Sequence, residues 1–198
     1  MRCVSYLGQY GRAHRADQIP PAGFWAAATH AHPGDLAALG TAARVYGLYR
    51  DAAQLHKNAT ARGDARAARA LVDCLHALDP ADHRPARWAA AHVALDDPAA
   101  VAQLVVGLRK AGAEEQAAPL AEWTAAHVAL DDPVAVAALL YLLRVAGSEE
   151  QVAALAERLP AAGLFDLFLK IDDHERRFRF GREPDKAAAA PWSWEDLE

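Results

Sequence analysis

The sequence predicts an all-α chain, arranged as an α-solenoid of about four helical hairpins. Three observations carry this. Trp88–Glu122 and Trp123–Glu157 align without a gap and are identical at 25 of 35 positions, and self-similarity at such a period marks stacked supersecondary units. Within each copy the apolar residues fall at i, i+3, i+4, i+7, namely Val101, Leu104, Val105 and Leu108, then Val136, Leu139, Leu140 and Leu143, which is one buried stripe of a helix. Alanine, the best helix former, is abundant, and strand-like alternation is nearly absent.

The elements follow from local chemistry. The nonapeptide AAHVALDDP occurs at 90–98 and again at 125–133. Its Leu-Asp-Asp-Pro end starts a helix: Asp97 or Asp132 caps the free N–H groups, and Pro98 or Pro133 takes the first helical position, where a missing N–H costs nothing. The acidic pair also suits the positive end of the helix dipole. Gly112 and Gly147 sit where a left-handed residue ends that helix. A second helix follows at once. Ser148-Glu149-Glu150-Gln151 has the form of a capping box, while the other copy carries Ala113 there and is expected to be the weaker start. Ala117, Leu120, Ala121 and Thr124 supply the second stripe, with Pro119 expected to kink the helix or delay it.

With modest gaps the pattern extends backwards. LAALGTAARVYGLYRDAAQLHKNA aligns with VAQLVVGLRKAGAEEQAAPLAEWT, placing Gly47 on Gly112, and ALVDCLHALDPADHRPARW aligns less two residues. Four units result, near 33–62, 63–95, 96–130 and 131–165. Residues 1–32 read as an N-terminal capping helix and linker with a Pro-Pro break. Residues 166–198 read as an aromatic C-terminal cap, because the ends of a stack must cover exposed core with atypical sequence. Phe165, Phe168, Phe178, Phe180, Trp192 and Trp194 are expected to fold over that end.

Composition limits the function classes. A net charge of −5 with a pI near 6.0 argues against a chain whose main task is neutralising phosphate backbones. Cys3 and Cys74 are too few for a disulfide framework. No run approaches the roughly 18 apolar residues of a membrane span, and the N-terminus lacks an apolar stretch of signal-peptide length. The expectation is a cytoplasmic protein without a membrane partner.

GLYRDAAQLHKNA, with a glycine, an alanine five residues on, then a large residue and another alanine, resembles the middle of a tetratricopeptide repeat. AGAEEQAAPLAEWT and AGSEEQVAALAERL resemble looser versions. The units run about 35 residues, one more than the usual 34, and the family's leading tryptophan and small residue of the first helix are missing or replaced, as at Val105 and Leu140. The near-verbatim repeat also resembles alanine-rich arrays of actinobacterial proteins, where such repeats often follow a nucleotide-binding switch domain of the STAND type. The resemblance covers about residues 25–165 and implies a right-handed solenoid serving as a binding or sensor array.

No motif for a cofactor or for catalysis stands out: GxSxG, the GxxxxGK[ST] loop, GxGxxG, HExxH and paired CxxC are all missing. Cys74 reads as a small apolar residue on or beside a buried stripe. The expectation is therefore a non-catalytic protein- or peptide-binding scaffold without a cofactor. Two alternatives stand beside it. One is a metal-dependent hydrolase using His30, His32 and a third ligand such as His56 or His83. The other is a structural or oligomerisation segment. His92 and His127 recur because the unit recurs, and each can bond a neighbouring turn.

One column suits recognition. Arg44, His76, Arg109 and Arg144 fall at one equivalent place near the end of each first helix. In a stack they form a row fit for carboxylates of an acidic peptide or a C-terminus, since guanidinium groups bind these in bidentate fashion. A basic residue in the last turn also complements the helix dipole without any partner, and Arg109 has Glu114 and Glu115 nearby in sequence. Three positions earlier the column reads Thr41, Asp73, Val106 and Tyr141, varying as specificity positions do. RRFRF at 176–180 mixes basic and aromatic residues as single-strand binders do, but capping suits it better.

Overall fold

A computed structural model describes residues 18–197. Cys3 and much of the expected N-terminal cap lie outside the described residues. Helices are the main regular structure of the described residues, which hold no strand and a single isolated bridge between Arg182 and Ala188. In order, α1 spans Ala22–Ala28, α2 Pro33–Val45, α3 Tyr49–Ala61, α4 Ala65–His76, α5 Arg84–His92, α6 Pro98–Lys110, α7 Glu114–His127, α8 Pro133–Val145 and α9 Glu149–Arg158. A 3-10 turn at Pro160–Ala162 leads to α10, Phe165–Leu169, and α11, His174–Arg177, with a last 3-10 turn at Trp194–Asp196.

The helix starts are chemical. Asp97 Oδ1 accepts from the N–H groups of Ala99 and Ala100 at 3.0 and 3.1 Å, and Asp132 Oδ1 from Val134 and Ala135 at 2.9 and 3.3 Å. Pro98 and Pro133 are the first residues of α6 and α8. Asp64 caps α4 in the same way, and at α2 the imidazole Nδ1 of His32 takes the cap role, accepting from Gly34 N–H before Pro33 has begun the helix.

The stops are as regular. Gly47, Gly112 and Gly147 have φ of 75°, 69° and 68°. In each case the glycine N–H reaches back to the carbonyl of the residue three before it, and the next N–H reaches back five, as in Ala113 to Leu108 at 2.9 Å and Ser148 to Leu143 at 2.9 Å. This double bond pattern is the Schellman stop, which only a residue free of a Cβ enters without strain. The residue after each glycine then turns inward. Ala113 and Ser148 are buried, Ser148 to 1 %.

That inward turn corrects the expected capping box. The Ser148 side chain makes no cap bond, and its Oγ is buried without a partner. The slot after a Schellman glycine favours an apolar contact, and here that geometry governs the residue. Ala113 and Ser148 therefore start their helices alike. Pro119 is also resolved: α7 begins five residues before it and runs through it, with Pro119 on the exposed side, where the unpaired carbonyl meets water.

Helices joined by the short turns pack together, α2 on α3, α6 on α7 and α8 on α9, and α4 packs on both α3 and α5. Contacts also run in two series, α2 to α4 to α6 to α8 and α3 to α5 to α7 to α9. The four-residue stripes of α6 and α8 are buried throughout. The core forms two clusters with α4 as their common wall: Ala67 and Cys74 face the one holding Trp25, Leu36 and Leu55, while Ala68 and Val72 face the one running to Phe178. Arg69 fastens α4 to α6. Its Nη1 donates to the Gln103 carbonyl at 2.8 Å and its Nε to Asp73 at 2.9 Å, and it crosses α6 at Gly107, where a Cβ would lie 2.7 Å from Arg69 Cδ.

One pair departs from the pattern. The connection between α4 and α5, Ala77–His83, has no glycine stop, and α5 has 9 residues where α7 has 14. Matching Trp88 to Trp123 sets residues 79–83 on the first turn of α7, so a turn of helix is missing there.

The two ends are closed by aromatic side chains. Trp25 is buried, its Nε1 donating to the Pro20 carbonyl at 3.0 Å and its ring meeting Phe24 and Tyr46 edge-on. At the other end Phe168, Ile171 and Phe178 join the larger core cluster, with Phe165 packed on it. Phe168 stacks on His174 at 4.1 Å, and Arg182 lies over Phe168 and Phe178 while pairing with Glu157. Phe180 is half-buried. Trp192 and Trp194 are not part of this closure, being 52 % and 82 % exposed; three phenylalanines and Ile171 already fill the end, and Trp192 is held by one bond from Nε1 to the Phe180 carbonyl.

Replacing Ser148 removes a buried hydroxyl without a partner. Ser148→Ala is expected to raise the unfolding free energy by about 1 kcal/mol, read from the urea midpoint, whereas a functional capping box would make the same change destabilising.

Candidate functional site

The basic column stands on four helices that touch in succession. Arg44, Arg109 and Arg144 are the penultimate residues of α2, α6 and α8, and His76 is the last of α4. Each stands in the last turn of its helix, where a positive charge complements the helix dipole. Arg44 is exposed and His76 half-buried. Arg109 is half-buried, its Nη1 2.9 Å from Glu114, with Nε buried and without a partner. Arg144 is exposed, and its Nη2 lies 3.3 Å from Asp172.

The row is therefore not four equal cations. Two of its guanidinium groups already hold carboxylates supplied by this chain; the Arg144 pair is exposed and of the weak kind that exchanges partners, while Arg109 is half-buried. The residues one turn earlier share the same helix face. Tyr141 is 67 % exposed, Thr41 is exposed and Val106 half-buried. Asp73 is occupied by Arg69.

The histidines take separate places. His32 caps α2, and His30 and His83 are exposed. Among the described residues no three His, Cys, Asp or Glu side chains are grouped to hold a metal ion. His56 is buried to 1 % in α3, with its ring against Gly40 of α2, where a Cβ would come within 2.8–3.0 Å of the imidazole. Its Nδ1 has no partner. Burial lowers the His56 pKa from its ordinary value, opposed by the charge of Asp64 and aided by that of Arg44. Cys74 is buried 4.0 Å from the Tyr49 carbonyl, and burial pushes its thiol pKa up, which keeps it in the unreactive thiol form.

The repeated nonapeptide proves to be a joint. His92 and His127 end α5 and α7, with Nδ1 2.8 and 2.9 Å from the carbonyls of Trp88 and Trp123. A carbonyl only accepts, so each Nδ1 carries the proton. Each imidazole also stacks on the indole four residues earlier, at 4.3 and 4.8 Å and nearly parallel. The extended Val93 or Val128 follows, and the next aspartate begins the next helix. This pairing of Trp with His at i, i+4 was available in WAAAH and WTAAH as a helix-face spacing, but it becomes a stacked pair only once both residues lie on one helix.

Comparison with protein-family models, curated proteins and solved structures finds no match.

The buried imidazole gives a test by pH. The folded state disfavours protonated His56, so the unfolded chain binds the extra proton and stability falls as pH drops below about 6.5 towards the lowered folded-state value. Urea midpoints measured from about pH 7.5 down to about pH 5.5 are expected to fall less in His56→Met than in the wild type.

Proposed function

We propose that this chain is a non-catalytic binding module: a tetratricopeptide-like solenoid of four helical hairpins, near 33–62, 63–95, 96–130 and 131–165, that recognises an acidic segment of another protein. The single observation that supports it best is the recurrence of a basic side chain in the last turn of α2, α4, α6 and α8, four helices in successive contact. The two contact series are what stacked hairpins require, since each unit meets only its neighbours.

In this reading Arg44 supplies an exposed guanidinium, Arg109 and Arg144 exchange Glu114 and Asp172 for carboxylates of the partner, and Tyr141 adds apolar contact at the α8 end. Arginine suits the task because its planar fork meets a carboxylate with two parallel bonds. Because the rows are carried on packed helices, little order has to be imposed on binding.

The experiment is a selection from a displayed random peptide library, with the wild type and Arg44→Glu/Arg109→Glu/Arg144→Glu compared after circular dichroism has shown both to be helical. Peptides rich in Asp and Glu are expected from the wild type, binding the variant roughly tenfold or more weakly. Selected peptides without acidic bias, or equal affinity for both proteins, would remove the row as the site.

A further inference from the structure

The missing turn between α4 and α5 leaves something specific behind. In the pair α6 and α7, Leu104 and Leu108 are fully buried and Ala117 and Leu120 lie over the core. The counterparts in the shortened pair are Leu71 and Leu75 below, and Asp82 and Pro85 above. Leu75 is half-buried there, and a cleft of about 400 Å³ opens over it. Its walls are apolar: Leu71, Leu75, Pro85 and the indole of Trp88.

The charges at its mouth are unequal. Arg84 is committed to Asp82, with Nε 2.8 Å from Oδ1 and Nη2 2.8 Å from Oδ2, and the Arg84 backbone N–H adds a third bond at 3.0 Å. Those bonds hold the Asp82 carboxyl down to about 2, so the pair stays ionised and self-neutralised. Lys57 of α3 is the other cation among the residues that line the cleft. Its Nζ sits 5.1 Å from the centre of the Trp88 ring, and among the described residues no ion pair engages it. The indole is itself fixed by the His92 stack and the His92 bond to the Trp88 carbonyl.

We infer that this cleft binds a small apolar monocarboxylate, with the hydrocarbon or aryl part on Leu71, Leu75 and Trp88 and the carboxylate on the Lys57 ammonium. The volume lies in the range of small-molecule sites, which are mostly apolar with a few placed polar groups. One free positive charge beside a neutralised pair selects a single negative charge. A cationic ligand is disfavoured, because Lys57 already occupies the neighbourhood of the indole. The site is carried by α3, α4 and α5, and it stands apart from the peptide reading above.

The test uses the full chain with two probes, 4-phenylbutyrate and its neutral isostere 4-phenylbutyramide, followed through the indole N–H resonances of the five tryptophans, with Trp88 assigned by Trp88→Phe. The acid is expected to shift the Trp88 signal and leave Trp123 in place, binding about fivefold more tightly than the amide, as an exposed ion pair allows. Lys57→Gln is expected to reduce the acid to the amide's affinity without changing the amide. Leu75→Phe, which fills the cleft, is expected to abolish both. Equal binding of acid and amide to the wild type, an unchanged acid affinity in Lys57→Gln, or no shift at Trp88 would each overturn the inference. So would binding of an acetylated tetrapeptide ending in a free leucine carboxylate when neither small probe binds, since that makes the cleft a peptide-docking site.

Discussion

The packed part of this chain depends on reversing the backbone within three residues at the end of a first helix. Glycine in the left-handed region does this at Gly47, Gly112 and Gly147, and the two backward N–H bonds of each stop satisfy carbonyls that would otherwise be left open. The reversal is short enough that the second helix lies directly on the first, so both stripes are buried at once. A Cβ at these positions costs roughly 1 kcal/mol through the left-handed backbone alone, and that strain falls on the joint that sets the angle of everything after it.

Much of this was legible because the signals are local. Asp-Pro before an apolar stripe states a helix start, glycine after it states a stop, and the two copies repeat both statements 35 residues apart. Asp97, Asp132, Gly112, Gly147 and the buried stripes stand where the spacing puts them. Ser148 was misread because one residue answers two rules. Serine before Glu-Glu-Gln fits a capping box, yet the position after a Schellman glycine points into the core, and the backbone geometry decides. The same kind of competition misplaced Trp192 and Trp194. Aromatic content marks a segment able to close an end, but which rings close it depends on the volume left after Phe168, Ile171 and Phe178 are in place.

The candidate row was legible as positions and illegible as electrostatics. Spacing puts Arg44, His76, Arg109 and Arg144 at equivalent helix ends. The partner of Arg109, Glu114, is five residues away and was foreseeable, whereas Asp172, the partner of Arg144, lies 28 residues on in the C-terminal segment. A long-range ion pair has no periodicity to announce it. The gap in the second pair is similar. An alignment shows that residues are displaced without showing whether the helix or the connection absorbs the difference, and here α5 is the element that is shortened. Lys57 and Trp88 belong to different helices and come within 5.1 Å of each other, a contact that the alignment does not announce.

Repetition and departure from it therefore carry different information. Where the unit repeats, His92 and His127, Asp97 and Asp132, and Gly112 and Gly147 are accounted for by the joint: a stack on indole, a cap, a stop. Each of those roles consumes the polar groups involved, and residues so occupied have little left to offer a ligand. Where the repeat is broken, between Ala77 and His83, apolar side chains meant for a helix turn are left facing a cleft, and a lysine is left without a carboxylate among the described residues. A site repeated in every copy would have to be compatible with the packing of every copy, whereas the irregular stretch between Ala77 and His83 is free of that constraint. Arg44 fits the same logic. Arg109 and Arg144 are answered by internal carboxylates, while Arg44 stands exposed at the end of the series where α2 meets the aromatic closure of Trp25 and Tyr46.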